Sequence, residues 1–227
     1  MLVRSDEEKS GSKGGSTYAR NRFGAYCRQR TKPVNPSTPL QQEQRSRFAL
    51  LTNLWNSVLT PAERAAWDLY AANVPMLNRL GQVINPTGFN HYCRSNSLIL
   101  QAGGDRVDAA PQIYLKGEQD PTFAVEASES DQKLNVTFDN TLDWANEVAG
   151  FMAIFLGSPR MTNINFFKGP WRYTGKIVGA ASPPSSPQAL NVSFPVTKGQ
   201  KIWAQARIIR ADGRVSDPFR CAGFVVA

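Results

Sequence analysis

The chain has 227 residues, 41% hydrophobic and 19% charged, with a formal net charge of +8. That length suits two modest domains or one domain with a long appendage, and the apolar share is enough to bury a core. No apolar run approaches the roughly 20 residues of a membrane helix, and the opening residues lack the apolar stretch of a secretory signal. Three cysteines (Cys27, Cys93, Cys221) cannot all pair within one chain, and with a single histidine they give metal or thiol chemistry little to build on.

The positive charge is concentrated. Residues 1–48 hold ten Lys/Arg against four Asp/Glu, residues 49–110 four against four, and residues 111–227 twelve against ten. From Lys9 to Lys32 there are seven cations and no carboxylate, among many Gly and Ser and without a sustained hydrophobic period. Such a stretch buries too little apolar surface to offset its ordering entropy, so the sequence predicts an extended basic arm over residues 1–37. Tyr18, Phe23 and Tyr26 interrupt it, a mixture that suits a polyanion with stackable bases or an acidic protein groove. The predicted partner contacts are Arg20, Arg22, Phe23, Tyr26, Arg28, Arg30 and Lys32.

Residues 33–39 form a proline-rich joint, after which Thr38-Pro39 starts a helix over 39–57 with a hydroxyl cap and proline at its first position. Leu40, Phe48, Leu51, Leu54, Trp55 and Val58 give it one apolar stripe. Thr60-Pro61-Ala62-Glu63 is a capping box opening a second helix to about residue 73, with a small-residue face of Ala62, Ala65, Ala66, Leu69 and Tyr70. A turn-rich link containing Asn78 and Gly81 leads to a third helix over about 88–101. His91 and Cys93 point to different sides of it, which predicts a satisfied surface histidine. Trp55 and Trp67 are assigned to helix packing. Three short helices make a marginal core, so this region, 38–110, is expected to be steadied by a partner subunit.

Beyond Pro111 the period changes to that of strands. Seven are predicted, over 122–128, 132–139, 150–157, 171–178, 189–195, 200–210 and 218–226, with Asp212-Gly213 marking a hairpin. The fold class is thus α+β multidomain: extended arm, small helical hairpin region, and a seven-stranded antiparallel β-sandwich over 111–227. Through Trp203-Ala204-Gln205-Ala206-Arg207 and Asp212-Gly213-Arg214-Val215-Ser216, this last part resembles fibronectin type III or immunoglobulin-like modules.

Gly24-Ala25-Tyr26-Cys27-Arg28, Asn35-Pro36-Ser37-Thr38-Pro39-Leu40-Gln41 and Arg64-Ala65-Ala66-Trp67 together resemble structural proteins of tailed bacteriophages and prophages, over roughly residues 14–100. The resemblance implies a virion component made in the host bacterial cytoplasm. Its implied partners are other virion proteins (capsid, portal or tail subunits) in a homo-oligomeric assembly, with nonspecific contact to packaged DNA and no membrane. The alternative is a nucleic-acid-binding protein using the arm on phosphates.

No phosphate-binding loop or nucleophile elbow occurs. Asp139/Asp143 and Glu126/Glu129 are the carboxylate pairs that acid–base work would need, and solvated surface positions are expected for them. No enzyme activity, cofactor or metal is expected.

Overall fold

Tight turns and helix caps set the boundaries of the elements in this chain. The computed structural model describes residues 2–4, 9–21, 24–32, 34–77 and 82–227. They form a mixed helix-and-sheet protein dividing into two compact units, residues 1–43 and 44–227.

In the first unit, β1 (Leu2–Arg4), β2 (Gly11–Lys13), β3 (Ser16–Asn21) and β4 (Gly24–Gln29) pair antiparallel in the order β1-β4-β3-β2. This differs from the extended arm that the sequence predicts. The reason lies at Gly14-Gly15: Lys13 pairs with Ser16, and Gly14 takes the left-handed conformation (φ 59°) that a two-residue hairpin loop demands. The strands on either side then satisfy each other's backbone groups. The start of α1 (Pro39–Ser57) is capped reciprocally: Gln41 N–H donates to Thr38 Oγ1 and Thr38 N–H to Gln41 Oε1, both at 3.4 Å.

In the second unit, α2 (Pro61–Asn73) begins with the expected capping box between Thr60 and Glu63, and α3 (Gly88–Gln101) is capped by Thr87. Between them β5 (Met76–Leu77) pairs with β6 (Val83–Ile84); Asn78 and Gly81 of the predicted link lie outside the described residues, as does Pro33 of the joint. α2 packs on α3 at Gly88, where a Cβ would come within 2.5 Å of the Asp68 main-chain nitrogen. The buried face of α2 is Trp67, Tyr70 and Ala71; of the predicted small-residue face Tyr70 is buried and Ala66 half-buried, while Ala62, Ala65 and Leu69 are exposed. α1 contributes Leu51 to the same core and sets Trp55 against Phe89 and Tyr92 of α3.

The β part has three sheets. β10 (Trp171–Val178), β9 (Phe151–Gly157), β13 (Ala204–Ile209) and β14 (Phe219–Arg220) make one, in that order. β11 (Gln188–Asn191), β8 (Lys133–Thr137) and β7 (Ala124–Ser128) make the second. β12 (Lys201–Ile202) pairs with β15 (Phe224–Val225) in the third. The predicted strands 200–210 and 218–226 are therefore each broken, because at Trp203 the chain leaves its partner β15 and joins β9. Alternate residues Val125, Ala127, Leu134 and Val136 share a core with Met152, Ile154 and Leu156 of β9.

The other side of β9 is covered as well. Phe151 and Ala153 pack with Ile209, Val215 and Ile99 of α3. The predicted boundary at residue 110 is thus bridged by apolar packing, and the helices rest on their own β-sheet where a partner subunit was expected to steady them. Each large side chain so buried contributes about 1.5–3 kcal/mol. Polar stitching follows the same seam. Arg94 donates to the carbonyls of Val215 (2.9 Å) and Ser216 (2.8 Å), and Tyr70 to that of Leu115 (3.2 Å). Lys116 reaches Asp217 at 2.7 Å.

Candidate interaction surfaces

Strand register decides which nominated residues of the N-terminal sheet can act together. Cross-strand partners share a face, and successive residues alternate between faces. Thr17 opposes Arg28 and Ala19 opposes Tyr26, so Tyr26 and Arg28 lie on one face. Arg30 follows in the same alternation, its N–H bonded to the Gly15 carbonyl at 2.7 Å. Tyr18 opposes Cys27 and Arg20 opposes Ala25, which puts Arg20 on the other face, where Lys9 Nζ stands 5.9 Å from the Tyr18 ring centre. Lys32 is exposed beyond the last strand. Arg22 and Phe23 lie outside the described residues.

The nominated group is thus split between two faces in place of one continuous ribbon. Residues 9–20 and 25–32 are half-buried or exposed, and the stretch from 9 to 32 carries no carboxylate of its own. Its cations therefore act in water unless something covers them, where a single pair contributes little and several acting together on a polyanion contribute much.

The predicted apolar stripe of α1 is only partly covered. Leu51 is buried, whereas Phe48 and Val58 are more than half exposed, and Leu40 is exposed too. Arg47 is buried in their place. Three- and four-residue spacing identifies a helix face, but how far neighbours wrap it depends on partners far along the chain.

His91 is buried, correcting the surface position expected of it. It stands edge-on to Tyr70 at 5.3 Å, its Nε2 has no hydrogen-bond partner among the described residues, and burial pulls its pKa down to about 4. Burial pushes the Cys93 thiol up to about 11, which suppresses the thiolate. The three cysteines sit in β4, in α3 and after β14, all unbridged. The Asp139 carboxylate accepts from Thr141 N–H (2.9 Å) and Oγ1 (2.6 Å), bonds that hold it below the usual carboxylate range. Glu126 and Glu129 are solvent-exposed. Among the described residues no cluster of three or more His, Cys, Asp or Glu could hold a metal, and no helix is long and apolar enough to cross a membrane.

One surface escaped the sequence reading. In the loop from Ser158 to Pro170, Met161 is 77% and Phe166 73% exposed. The base of the loop is fixed by Phe167, whose buried ring stacks on Trp203 (5.4 Å, 12°) and meets Trp171 edge-on (5.0 Å). Gly157 is required there, because a Cβ would lie 2.5 Å from the Phe167 ring. No periodicity marks such a loop; the only signal in the sequence is a run of apolar and basic residues between two strands.

Comparison with known proteins finds no matching family model, no matching curated protein and no matching solved structure.

Proposed function

We propose that this chain is a non-enzymatic structural protein of a bacteriophage virion, a capsid decoration, minor capsid or connector-associated component. It anchors by its basic N-terminal segment and helices, and its β part serves as a sandwich of the fibronectin type III or immunoglobulin kind. The observation that carries this reading is the β2–β4 part of the N-terminal sheet, where residues 11–20 and 25–29 are half-buried or exposed and none is fully buried. A small sheet without a core is marginal in water and gains its stability from whatever it lies against. Phe48 of α1 and Val58 just after it, both more than half exposed, add apolar surface of the sort that subunit contacts cover. The bacteriophage setting comes from the resemblance over residues 14–100.

Removal of residues 1–37 tests the proposal. The shortened chain should keep the near-ultraviolet circular dichroism of its tryptophan-rich core and be lost from purified particles. Normal occupancy of particles by the shortened chain would refute the reading.

The second reading, nucleic-acid binding through the same sheet, is favoured by Tyr26 and Arg28 lying together on one face. It predicts duplex-DNA affinity that falls steeply with salt, the slope decreasing by about 0.9 for each phosphate contact removed. Binding unaltered by Arg28→Ala with Arg30→Ala would discard it.

A further inference from the structure

Charge in the β part is segregated along the chain. Residues 117–147 carry eight Asp/Glu against the single Lys133, and residues 148–211 carry eight Lys/Arg and no carboxylate. The fold converts part of this into two unlike ends. β9 runs between them, its seven residues spanning about 20 Å.

At its start, Glu118, Asp143 and Glu147 gather around Arg210, with Lys176 the second cation at this end, its Nζ 5.6 Å from the Phe151 ring centre. The Asp143 side chain is 77% exposed, and Val148, next to Glu147 in the chain, is 70% exposed. At the far end of β9 lies the loop with Met161 and Phe166. Arg160 of that loop exchanges backbone hydrogen bonds with Lys201 at 2.9 and 2.8 Å, which brings the loop beside Lys198–Lys201. Arg160, Lys168, Lys198 and Lys201 thus surround the exposed apolar pair, against Glu129 and Asp131 in the β7–β8 turn, which Gln132 ties to the Val196 carbonyl at that end. A concave opening of about 630 Å³ runs between residues 159–163 and 198–200.

We infer that these two ends bind each other between copies of this chain, head to tail. The apolar–basic loop of one copy seats on the carboxylate-rich end of the next. An apolar centre rimmed by charge is the anatomy of a protein interface, and the opposite end of the same chain supplies both the complementary carboxylates and an exposed apolar residue. The surfaces differ, so the contact is heterologous and each copy keeps one free end, giving rings or open stacks. The Phe167 anchor holds the loop in place before contact and lowers the entropy lost on association. The inference stands on the β part and shares with the assembly reading only the premise that many copies meet.

Sedimentation equilibrium of the full chain tests it. At low ionic strength the weight-average mass should rise with concentration, and added salt should reverse the rise. Met161→Asp with Phe166→Asp blocks the loop end, and Asp143→Lys blocks the acidic end; each variant alone should sediment as monomer. Mixed in equal amounts they retain one intact interface per pair, so the mass should double and go no higher. Val148→Lys replaces Asp143→Lys if loss of the Arg210 contact disturbs folding.

A wild-type chain that stays monomeric at every concentration would overturn the inference. So would association that survives the single variants, or a mixture that remains monomeric. Duplex-DNA binding lost on Lys168→Glu with Lys198→Glu, in a chain that never self-associates, would assign the loop to phosphate instead. The virion reading fails or stands separately, on particle incorporation.

Discussion

Arg94→Ala should be among the most damaging single changes outside the apolar cores. The guanidinium is only 11% exposed and donates to the carbonyls of Val215 and Ser216 and to Asp217 Oδ1. Truncation leaves two carbonyls of buried residues without their donor, at about 1–3 kcal/mol each if they stay dry. Asp217 is not orphaned, because Lys116 still holds it at 2.7 Å. Part of the loss is offset by relief of desolvation, which already draws the Arg94 pKa down to about 10. The net expectation is about 3 kcal/mol. With a urea m-value of about 3 kcal/mol/M, the midpoint should fall by about 1 M. Arg94→Lys should recover less than half, since an ammonium cannot reproduce the planar fork that spans two successive carbonyls. A midpoint shift below about 0.3 M for Arg94→Ala would refute the idea that this residue fastens α3 to the β part.

The pKa shifts and the tight contacts give three further tests. His91 stays neutral in the folded chain down to about pH 4, whereas the unfolded chain takes up the proton near 6.5; stability should be full above 6.5 and fall by about 3 kcal/mol as pH drops to 4. Thermal melts over that range should show the decline, and His91→Phe should flatten it. Tyr70, pushed up to about 12 by burial, acts in the opposite sense: the unfolded chain loses its proton near 10 first, so stability falls between pH 10 and 12. Tyr70→Phe should reduce that alkaline loss in the same melts. Gly88→Ala forces a Cβ against the α2 backbone and should cost about 1–3 kcal/mol by urea denaturation, with an unchanged midpoint counting against the close approach.

Much of the element list was legible locally. Thr38-Pro39 and Thr60-Pro61-Ala62-Glu63 carry their own start signals, and the helices they open are found at those positions. The strand predicted over 150–157 is found as β9, buried on both sides. What covers each face was not legible. One side of β9 is covered by α3, some fifty residues earlier, and no periodicity in either segment names the other. The N-terminal region was misjudged for a related reason: composition measures how much a segment can bury, whereas Gly14-Gly15 lets it pair with itself through its backbone. His91 was placed on the surface because its burial depends on Tyr70, in a different helix. Of the nominated contacts, register joins Tyr26 with Arg28 and separates them from Arg20, a distinction that charge counting could not make.

The Arg94 fastening also has a consequence in time. Its carbonyl acceptors lie 121 and 122 residues downstream. At about 5–20 residues per second, a ribosome delivers them on the order of ten seconds after the third helix has emerged. Phe151 emerges less than halfway through that interval and Val215 only at its end, so until then Ile99 lacks its full packing and the nascent helices remain sticky. A message cut short before codon 215 would release a chain caught permanently in that condition, a substrate for chaperones and proteases rather than a smaller working protein.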